Sequence, residues 1–172
     1  VVVPTAFAAP FDRTAITITV SEIISEPVCE GVCASNVLFL PGIQASRLYT
    51  ETEKVWEPLN NGDVRELAMN SVGESINTIF TKDVIDTIPP FSSSIYGDFL
   101  EFLDELESDD VIAEWDTFAY DWRYDVFDIV RDGTQYETYV RELDEVVHAL
   151  ALTSHTEKVT LVAHSNGGLL AK

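Results

Sequence analysis

The feature that most constrains the fold of this chain is an apolar run that breaks into a serine and two glycines. Residues 159–162 (VTLV) are mostly apolar, and a short run of this kind is typical of a strand buried on both faces. The run leads directly into AHSNGG at residues 163–168, after which the sequence favours a helix. We therefore predict a buried strand that turns sharply into a helix at Ser165.

Three earlier segments also predict strands. Residues 14–20 (TAITITV) alternate polar and apolar side chains, as a half-buried strand does. Residues 37–40 (VLFL) form a continuous apolar run closed by Pro41 and Gly42, which favours a strand buried on both faces. Residues 116–120 predict a third strand.

Two other segments show apolar residues at helical spacing. This spacing predicts one helix over residues 94–107 and another over residues 136–150, the second introduced by a capping-box pattern at residues 134–137. For the mixed stretch at residues 51–90 we expect short helices and long loops. Because strands alternate with amphipathic helices, we predict an α/β protein with a mostly parallel sheet flanked by helices.

Composition argues against several classes of partner. The chain has 172 residues, enough for one domain, and its 30 acidic and 10 basic side chains give a formal net charge of −20. Nucleic-acid binders present clustered Lys and Arg, and anionic lipid attracts basic segments. We therefore predict no nucleic-acid partner and no electrostatic docking on membranes, and the oligomeric state stays open.

The two ends of the sequence predict an exported protein that is cut short. Residues 1–9 (VVVPTAFAA) are uncharged and end in an A-x-A pattern, which fits the tail of a signal peptide and a secreted or extracytoplasmic location. A flexible apolar terminus is the alternative interpretation of these nine residues. Residues 167–172 favour a helix without a stop signal. We expect a signal remnant, then an N-terminal strand and cysteine-containing loop over residues 10–35, then an α/β domain over residues 36–172 that is incomplete at its C-terminus.

Cys29 and Cys33 are the only cysteines. Gly31 between them would let the loop turn back and close a disulfide, which suits an exported protein, although two free thiols fit the same spacing. Two cysteines without a nearby histidine cannot complete a tetrahedral zinc site, so we expect no metal.

Residues 163–167 (AHSNG) match the G-x-S-x-G turn that presents a nucleophilic serine, with Ala163 in place of the first glycine. In such a turn the residues two before and two after the serine approach each other, so both must be small, as Ala163 and Gly167 are. A serine in an inert tight turn is the alternative. A reactive Ser165 also needs N–H donors for the oxyanion, and one of them is normally the residue after the serine, here Asn166.

The second donor is expected from the loop that follows residues 37–40. Gly42 allows the backbone to approach closely, and Ile43 or Gln44 could donate its N–H. An ordinary strand-ending turn at Pro41 is the alternative.

The general base is missing from the sequence. The chain has three histidines; His148 and His155 precede the serine, and the side chain of the adjacent His164 is expected to point away from the hydroxyl. We interpret all three as structural or surface residues. The partners of Ser165 in an α/β-hydrolase follow it in the order acid, then histidine, so we expect both beyond Lys172. The chemistry requires no cofactor.

Three segments together resemble the lecithin:cholesterol acyltransferase-like family of α/β-hydrolases. They are FLPGIQASRL at residues 39–48 with VW at residues 55–56, YDWR at residues 120–123, and VAHSNGG at residues 162–168. The likeness extends over residues 36–172. It implies a serine enzyme that acts on acyl esters, typically lipids, and passes the acyl group to water or to an alcohol, with transient contact with a lipid surface.

Carried over residue by residue, the resemblance makes Ser165 the nucleophile and Ile43 and Asn166 the oxyanion donors. The neighbouring residues of the same motifs would support the site or the substrate: Gly42, Gln44, His164 and Gly167.

In the YDWR motif, Asp121 and Arg123 could position a loop over the site, and Trp122 could line an acyl pocket. A structural ion pair with a packed tryptophan is the alternative. Residues 51–90 would hold a lid or membrane-contacting elements. Competing functions are an esterase for non-lipid esters and a non-catalytic binding domain on the same scaffold.

Overall fold

The computed structural model describes residues 33–58, 60–88 and 93–172. In chain order the elements are β1 (Asn36–Leu40), β2 (Ser46–Tyr49), β3 (Lys54–Trp56), α1 (Asn61–Glu66), β4 (Phe80–Val84), β5 (Thr87–Ile88), β6 (Ser93–Ser94), α2 (Gly97–Ser108), β7 (Trp115–Thr117), α3 (Val126–Asp132), β8 (Thr134–Tyr136), β9 (Tyr139–Arg141), α4 (Leu143–Thr153), β10 (Val159–Ala163) and α5 (Gly167–Leu170).

Several predictions fall on the N-terminal segment. The strand at residues 14–20, the signal remnant at residues 1–9 and Cys29 all lie outside the described residues. The strand, the signal and the disulfide between Cys29 and Cys33 therefore stay predictions.

Three parallel strands form the first sheet, in the order β10, β1, β7. The central strand β1 is buried along its whole length. On one face Leu38 and Leu40 pack against Leu150 of α4, and on the other Val37 packs against Leu103 of α2. The register places Leu40 beside Ala163, so the segments that follow β1 and β10 leave the sheet at the same edge.

The side chain of Asn36 fixes the start of β1. This residue is fully buried. Its amide donates to the carbonyl of Leu150 at 3.0 Å and to the hydroxyl of Thr153 at 2.9 Å. Its oxygen accepts the backbone N–H groups of Ala113 and Glu114, each at 3.0 Å. One side chain therefore ties β1 to the end of α4 and to the segment before β7, a role that the sequence analysis did not assign.

The second sheet has five strands in the order β3, β2, β4, β8, β9. Only the β4–β8 pair is parallel, and β5 and β6 form a separate antiparallel pair. The protein is thus a mixed α/β protein with parallel sheet segments, but less of its sheet is parallel than predicted. The expectation of short helices and long loops over residues 51–90 is confirmed only for α1 and the connection that follows it, because this stretch also contains β3, β4 and β5.

The capping box predicted at residues 134–137 is wrong as well. This segment forms β8 and a turn into β9, and Glu137 occupies the turn with a φ of 49°. The hydroxyl of Thr134 accepts the N–H of Asp121 at 3.0 Å, a tertiary contact, and no helix begins at this position. Tyr136, Tyr139 and Val140 suit strands better than helices, and α4 begins only at Leu143.

The other strand and helix predictions agree with the structure in kind. β1 and β10 match the apolar runs, each with one further residue at one end. The predicted burial of the second run is wrong, because in the described part of the chain β10 has a strand on one side only and none of its residues is fully buried. The helix predicted over residues 94–107 begins at Gly97, and the strand predicted over residues 116–120 ends at Thr117. Within the described residues, no helix has the length and apolar character needed to cross a membrane.

Candidate active site

The turn at residues 163–167, called the elbow below, joins β10 to α5. Ser165 lies at its centre with a φ of 52°, a left-handed conformation that costs a non-glycine residue roughly 1–2 kcal/mol. The turn is held by the N–H of His164, which donates to the carbonyl of Leu40 at 3.0 Å, and by the N–H of Gly167, which donates to the carbonyl of His164 at 2.9 Å. The predicted sharp strand-to-helix turn is present, and Ser165 is exposed at its apex.

Gly167 is required by the neighbouring strand. A Cβ added there would overlap the carbonyl oxygen of Leu40 and would lie 2.7 Å from that of Pro41. The nearest atoms thus belong to the end of β1 and not to Ala163, which the sequence analysis had taken as the close neighbour. The small residue lets the first turn of α5 pack directly on the β1 backbone.

The loop at residues 41–44, which follows β1, lies against the elbow. A Cβ built on Gly42 would be 2.9 Å from Nδ1 of His164 and 3.4 Å from Cβ of Ser165. The structure therefore brings together the two segments that sequence reasoning assigned to the nucleophile and to its oxyanion loop.

The backbone N–H groups around Ser165 fall into two classes. Those of Gly42 and Ala45 are engaged, since Gly42 donates to the hydroxyl of Tyr96 at 3.2 Å and Ala45 to the carbonyl of Gly42 at 3.2 Å. Within the described part of the chain, the N–H groups of Ile43, Gln44 and Asn166 have no protein acceptor. These are the same three amides that the sequence analysis named as oxyanion donors.

The hydroxyl of Tyr120 connects the loop to the elbow. It donates to the carbonyl of Pro41 at 3.2 Å and accepts the side-chain amide of Asn166 at 3.0 Å. The ring is fully buried, and this burial raises the pKa of the phenol even though the hydrogen bond from Asn166 acts in the opposite direction. Each of the three sequence motifs thus contributes one residue to a single chain of hydrogen bonds.

The other residues of the YDWR motif contact the segments around the site and form no hydrogen bond with the elbow in the described residues. Asp121 and Arg123 form a buried ion pair with an N–O distance of 2.6 Å, and Arg123 also donates to the carbonyl of Leu67 at 3.1 Å. This is the structural ion pair of the sequence analysis, and it also holds the segment after α1 in place.

Trp122 packs between two parts of the core. Its indole N–H donates to the carbonyl of Ser46 at 3.1 Å, and its ring meets that of Trp56 edge to face at 5.0 Å. These contacts join the YDWR segment to β2 and β3.

None of the three histidines forms a hydrogen bond with Ser165 among the described residues. His148 is exposed on α4. His155 is largely buried, with Nε2 3.4 Å from a carboxylate oxygen of Asp110. Nδ1 of His164 lies 2.8 Å from the hydroxyl of Tyr96. The described residues therefore place unengaged N–H groups in the turn and loop around Ser165 but no histidine in hydrogen-bond contact with its hydroxyl.

A cavity of about 270 Å³ lies behind the YDWR motif and not beside Ser165. Its polar lining includes Asp121, Asp128, Asp132 and Thr134, and the first three carboxylates already pair with Arg123 or Arg131. Among the described residues, no group of three or more His, Cys, Asp or Glu side chains could hold a metal ion.

Sequence reasoning missed two hydroxyl groups of this site. Tyr120 belongs to a motif, but its link to Pro41 and Asn166 depends on strand order, which the motif does not encode. Tyr96 lies near the start of the helix predicted over residues 94–107 and carries no motif at all.

Comparison of the chain with protein-family models, with curated proteins and with solved structures finds no match.

Proposed function

We propose that this chain carries the nucleophile and the oxyanion hole of a serine hydrolase or O-acyltransferase with an α/β-hydrolase fold, as its resemblance to the lecithin:cholesterol acyltransferase-like family implies. One observation carries the proposal. Ser165 occupies a left-handed turn at the end of β10, and the N–H groups of Ile43 and Asn166 on either side have no protein acceptor in the described residues.

The reaction begins when Oγ of Ser165 bonds to the carbonyl carbon of an ester while its proton passes to a base. The carbonyl electrons move onto oxygen, and the N–H groups of Ile43 and Asn166 donate to this oxyanion. Collapse of the intermediate breaks the bond to the alkoxide, which takes the proton from the base. Attack by water or by an alcohol on the acyl-enzyme then repeats these steps and frees Ser165.

The base is the missing component. Because none of the three histidines forms a hydrogen bond with Ser165 in the described residues, we assign the base and its acidic partner to residues C-terminal to Lys172. For the substrate we propose an acyl ester with an apolar chain, which is supported by two exposed apolar side chains near the site. Ile43 is 58% exposed beside the elbow, and Ile95 is 47% exposed beside Tyr96.

Covalent labelling tests the proposal. The protein, produced with its C-terminal continuation, is treated with a fluorophosphonate probe, which reacts only with an activated serine. We expect labelling of the unchanged protein and of Ser108→Ala, a control at the exposed end of α2, and none of Ser165→Ala. Equal labelling of Ser165→Ala, or no labelling of the unchanged protein, would contradict the proposal.

The absence of a described base also favours a second candidate, a non-catalytic binding domain on the same scaffold. This candidate predicts that acyl esters bind without turnover and that no serine is labelled. If labelling succeeds, a series of p-nitrophenyl esters with short and long acyl chains separates an esterase for small esters from a lipid-directed enzyme. Product analysis with an added alcohol then separates hydrolysis from acyl transfer.

A further inference from the structure

Tyr96, just before α2, places its hydroxyl between the two halves of the candidate site. The hydroxyl oxygen accepts the N–H of Gly42 at 3.2 Å and lies 2.8 Å from Nδ1 of His164. A phenol has one proton, so a hydroxyl that accepts from Gly42 can donate to Nδ1 only if that nitrogen carries no proton. This pairing favours the His164 tautomer with its proton on Nε2, in which the hydroxyl accepts one hydrogen bond and donates the other.

The position of Tyr96 is fixed from two sides. Its ring meets that of Phe39 in β1 edge to face at 4.7 Å. Its backbone is held by Asp86, whose carbonyl oxygen accepts the N–H groups of Ile95, Tyr96 and Gly97 at 2.7–3.1 Å.

Asp86 is itself anchored. Its carboxylate receives a guanidinium N–H of Arg47 at 2.7 Å, and Arg47 is 12% exposed at the side chain. The Tyr96 hydroxyl is thus presented by a framework that includes β1, β2 and the segment after β4.

We propose that Tyr96 is a positioning residue for the reaction at Ser165, an inference that rests on the proposed function. By occupying the N–H of Gly42, the hydroxyl leaves the amides of Gln44 and Ile43 in the 41–44 loop for the oxyanion, and the resemblance assigns this role to the amide of Ile43. By holding Gly42 against Cβ of Ser165, it also sets the distance between this amide and the nucleophile. Tyr96 acts through the loop and not on the substrate.

The test is Tyr96→Phe in the protein with its C-terminal continuation. Phe keeps the ring that packs on Phe39 and removes only the hydroxyl, so we expect little change in Tm. Loss of one oxyanion donor lowers kcat by roughly 10²–10³-fold in serine hydrolases, and a displaced loop weakens this donor without removing it. We therefore expect kcat for a p-nitrophenyl ester to fall about tenfold or more, with KM unchanged, because the oxyanion contact forms only in the transition state.

Tyr136→Phe is the matched control. Its hydroxyl also bonds to the main chain, at the carbonyl of Lys82, but in the second sheet. We expect this variant to keep the kcat and KM of the unchanged protein.

A second measurement does not depend on catalysis. ¹⁵N chemical shifts of His164 distinguish the two neutral tautomers. We expect the Nε2–H form alone in the unchanged protein and in Tyr136→Phe, and a mixture of tautomers in Tyr96→Phe.

The outcomes separate the two proposals. If the unchanged protein is active and Tyr96→Phe matches it in kcat, or if KM rises while kcat stays, the positioning role is wrong and the proposed function stands. If Tyr96→Phe lowers kcat but leaves the His164 tautomer unchanged, the hydroxyl does not act as stated and the inference is also overturned. If neither protein turns over ester or labels at Ser165, the proposed function fails and the positioning role fails with it.

Discussion

Two adjacent glycines after Ser165 have different surroundings, although both lie in the same short helix. A Cβ at Gly167 would overlap the backbone of Leu40, whereas a Cβ at Gly168 would meet no atom within 4 Å. Overpacking of this kind typically costs about 1–3 kcal/mol, and here the obstacle is backbone that cannot rotate away. We expect Gly167→Ala to lower the free energy of unfolding by at least about 2 kcal/mol, since β1 and α5 must separate.

Gly168→Ala is the control for this prediction. In a helix Ala is favoured over Gly by up to about 1 kcal/mol, so this variant should be neutral or slightly more stable. Urea denaturation of both variants provides the measurement. Equal stability of the two would mean that the elbow does not pack on β1 as described.

Side-chain identity alone predicted part of this site. The small residue at Gly167 and the close approach at Gly42 follow from the turn pattern, because a tight backbone leaves no room for a Cβ. The residue that lies against Gly167 could not be predicted from the turn pattern, since it is Leu40 at the end of β1, more than a hundred residues earlier in the chain. The roles of Tyr96 and Asn36 were also missed, because one polar side chain in an apolar context has no periodic signature.

At the scale of elements, Arg47 connects β2 to the strands that follow it. Its guanidinium donates to Asp83 at 2.8 Å, to Asp86 at 2.7 Å and to Glu57 at 3.3 Å, and also to the carbonyls of Val84 and Thr87. Burial alone would lower the pKa of Arg47, but the hydrogen bonds to the two aspartates outweigh it and raise this pKa. Lys cannot reproduce such a fork of donors.

We therefore expect Arg47→Lys to lower the free energy of unfolding by about 1–3 kcal/mol, because Lys keeps the charge but cannot reach all five acceptors, which include the largely buried carboxylate of Glu57 and the carbonyls of Val84 and Thr87. Arg131→Lys is the control, because Arg131 also pairs with two carboxylates but is 66% exposed at the side chain, where ion pairs contribute about 0–1 kcal/mol. Chemical denaturation at neutral pH compares the two. A loss at Arg131 equal to that at Arg47 would contradict this account of the network.

The same network predicts a pH dependence. Burial acts to raise the pKa of Asp86, but hydrogen bonds from Arg47 and from the N–H of Thr87 outweigh it, and the pKa lies below its usual value of 3.8. A carboxylate with a lowered pKa adds stability above its unfolded-state pKa and loses it as the pH falls through the folded-state pKa. Because the side chain is 49% exposed, we expect no more than about 1 kcal/mol.

Asp86→Asn should accordingly be less stable than the unchanged protein at neutral pH, and the difference should vanish as the pH falls below the ordinary aspartate range. Thermal unfolding across this pH range measures it. Glu51→Gln, at an exposed turn position, should show no such convergence. A difference for Asp86→Asn that stays constant down to acid pH would show that the carboxylate charge is not what stabilises the network.

The elements that sequence predicted best are those with a strong, uniform environment. β1 and β10 are short apolar runs closed by small residues, which suit parallel strands, although only β1 is central and buried while β10 lies at the edge of the sheet. The helix prediction for residues 134–141 was wrong because it depended on a capping signal and a helical spacing that are both local. In the structure the hydroxyl of Thr134 instead accepts the N–H of Asp121, a tertiary contact. Most strands of the second sheet were not predicted for a related reason, since strands of three to five residues carry too little periodicity to outweigh their polar composition.

At the scale of the whole molecule, the parallel first sheet explains how distant motifs meet. β1 and β10 are neighbours with ends in register, so the 41–44 loop and the elbow must emerge at one edge, although they are more than a hundred residues apart in sequence. β7 lies on the other side of β1. Tyr120 follows β7 and forms hydrogen bonds with Pro41 of the 41–44 loop and with Asn166 of the elbow. Strand order therefore converts three motifs into one hydrogen-bonded group, which sequence spacing alone could not have predicted.

The net charge of −20 has its own consequence at this scale. Acidic side chains outnumber basic ones three to one, so most carboxylates have no cation to pair with, and their mutual repulsion destabilises the compact state. Raising the NaCl concentration from about 10 mM to about 1 M shortens the Debye length from about 30 Å to about 3 Å. Repulsion between exposed carboxylates is screened by this change, whereas the buried Asp121–Arg123 pair is much less affected.

We therefore expect Tm at neutral pH to rise by several degrees with NaCl, and the rise to shrink under acid conditions in which most carboxylates are protonated and the repulsion is already relieved. Calorimetry at the two pH values makes the comparison within one protein. If Tm falls with salt at neutral pH, attraction in the exposed ion pairs outweighs the repulsion. An increase of equal size at both pH values would instead assign the effect to burial of apolar surface, which salt strengthens whatever the charge on the chain.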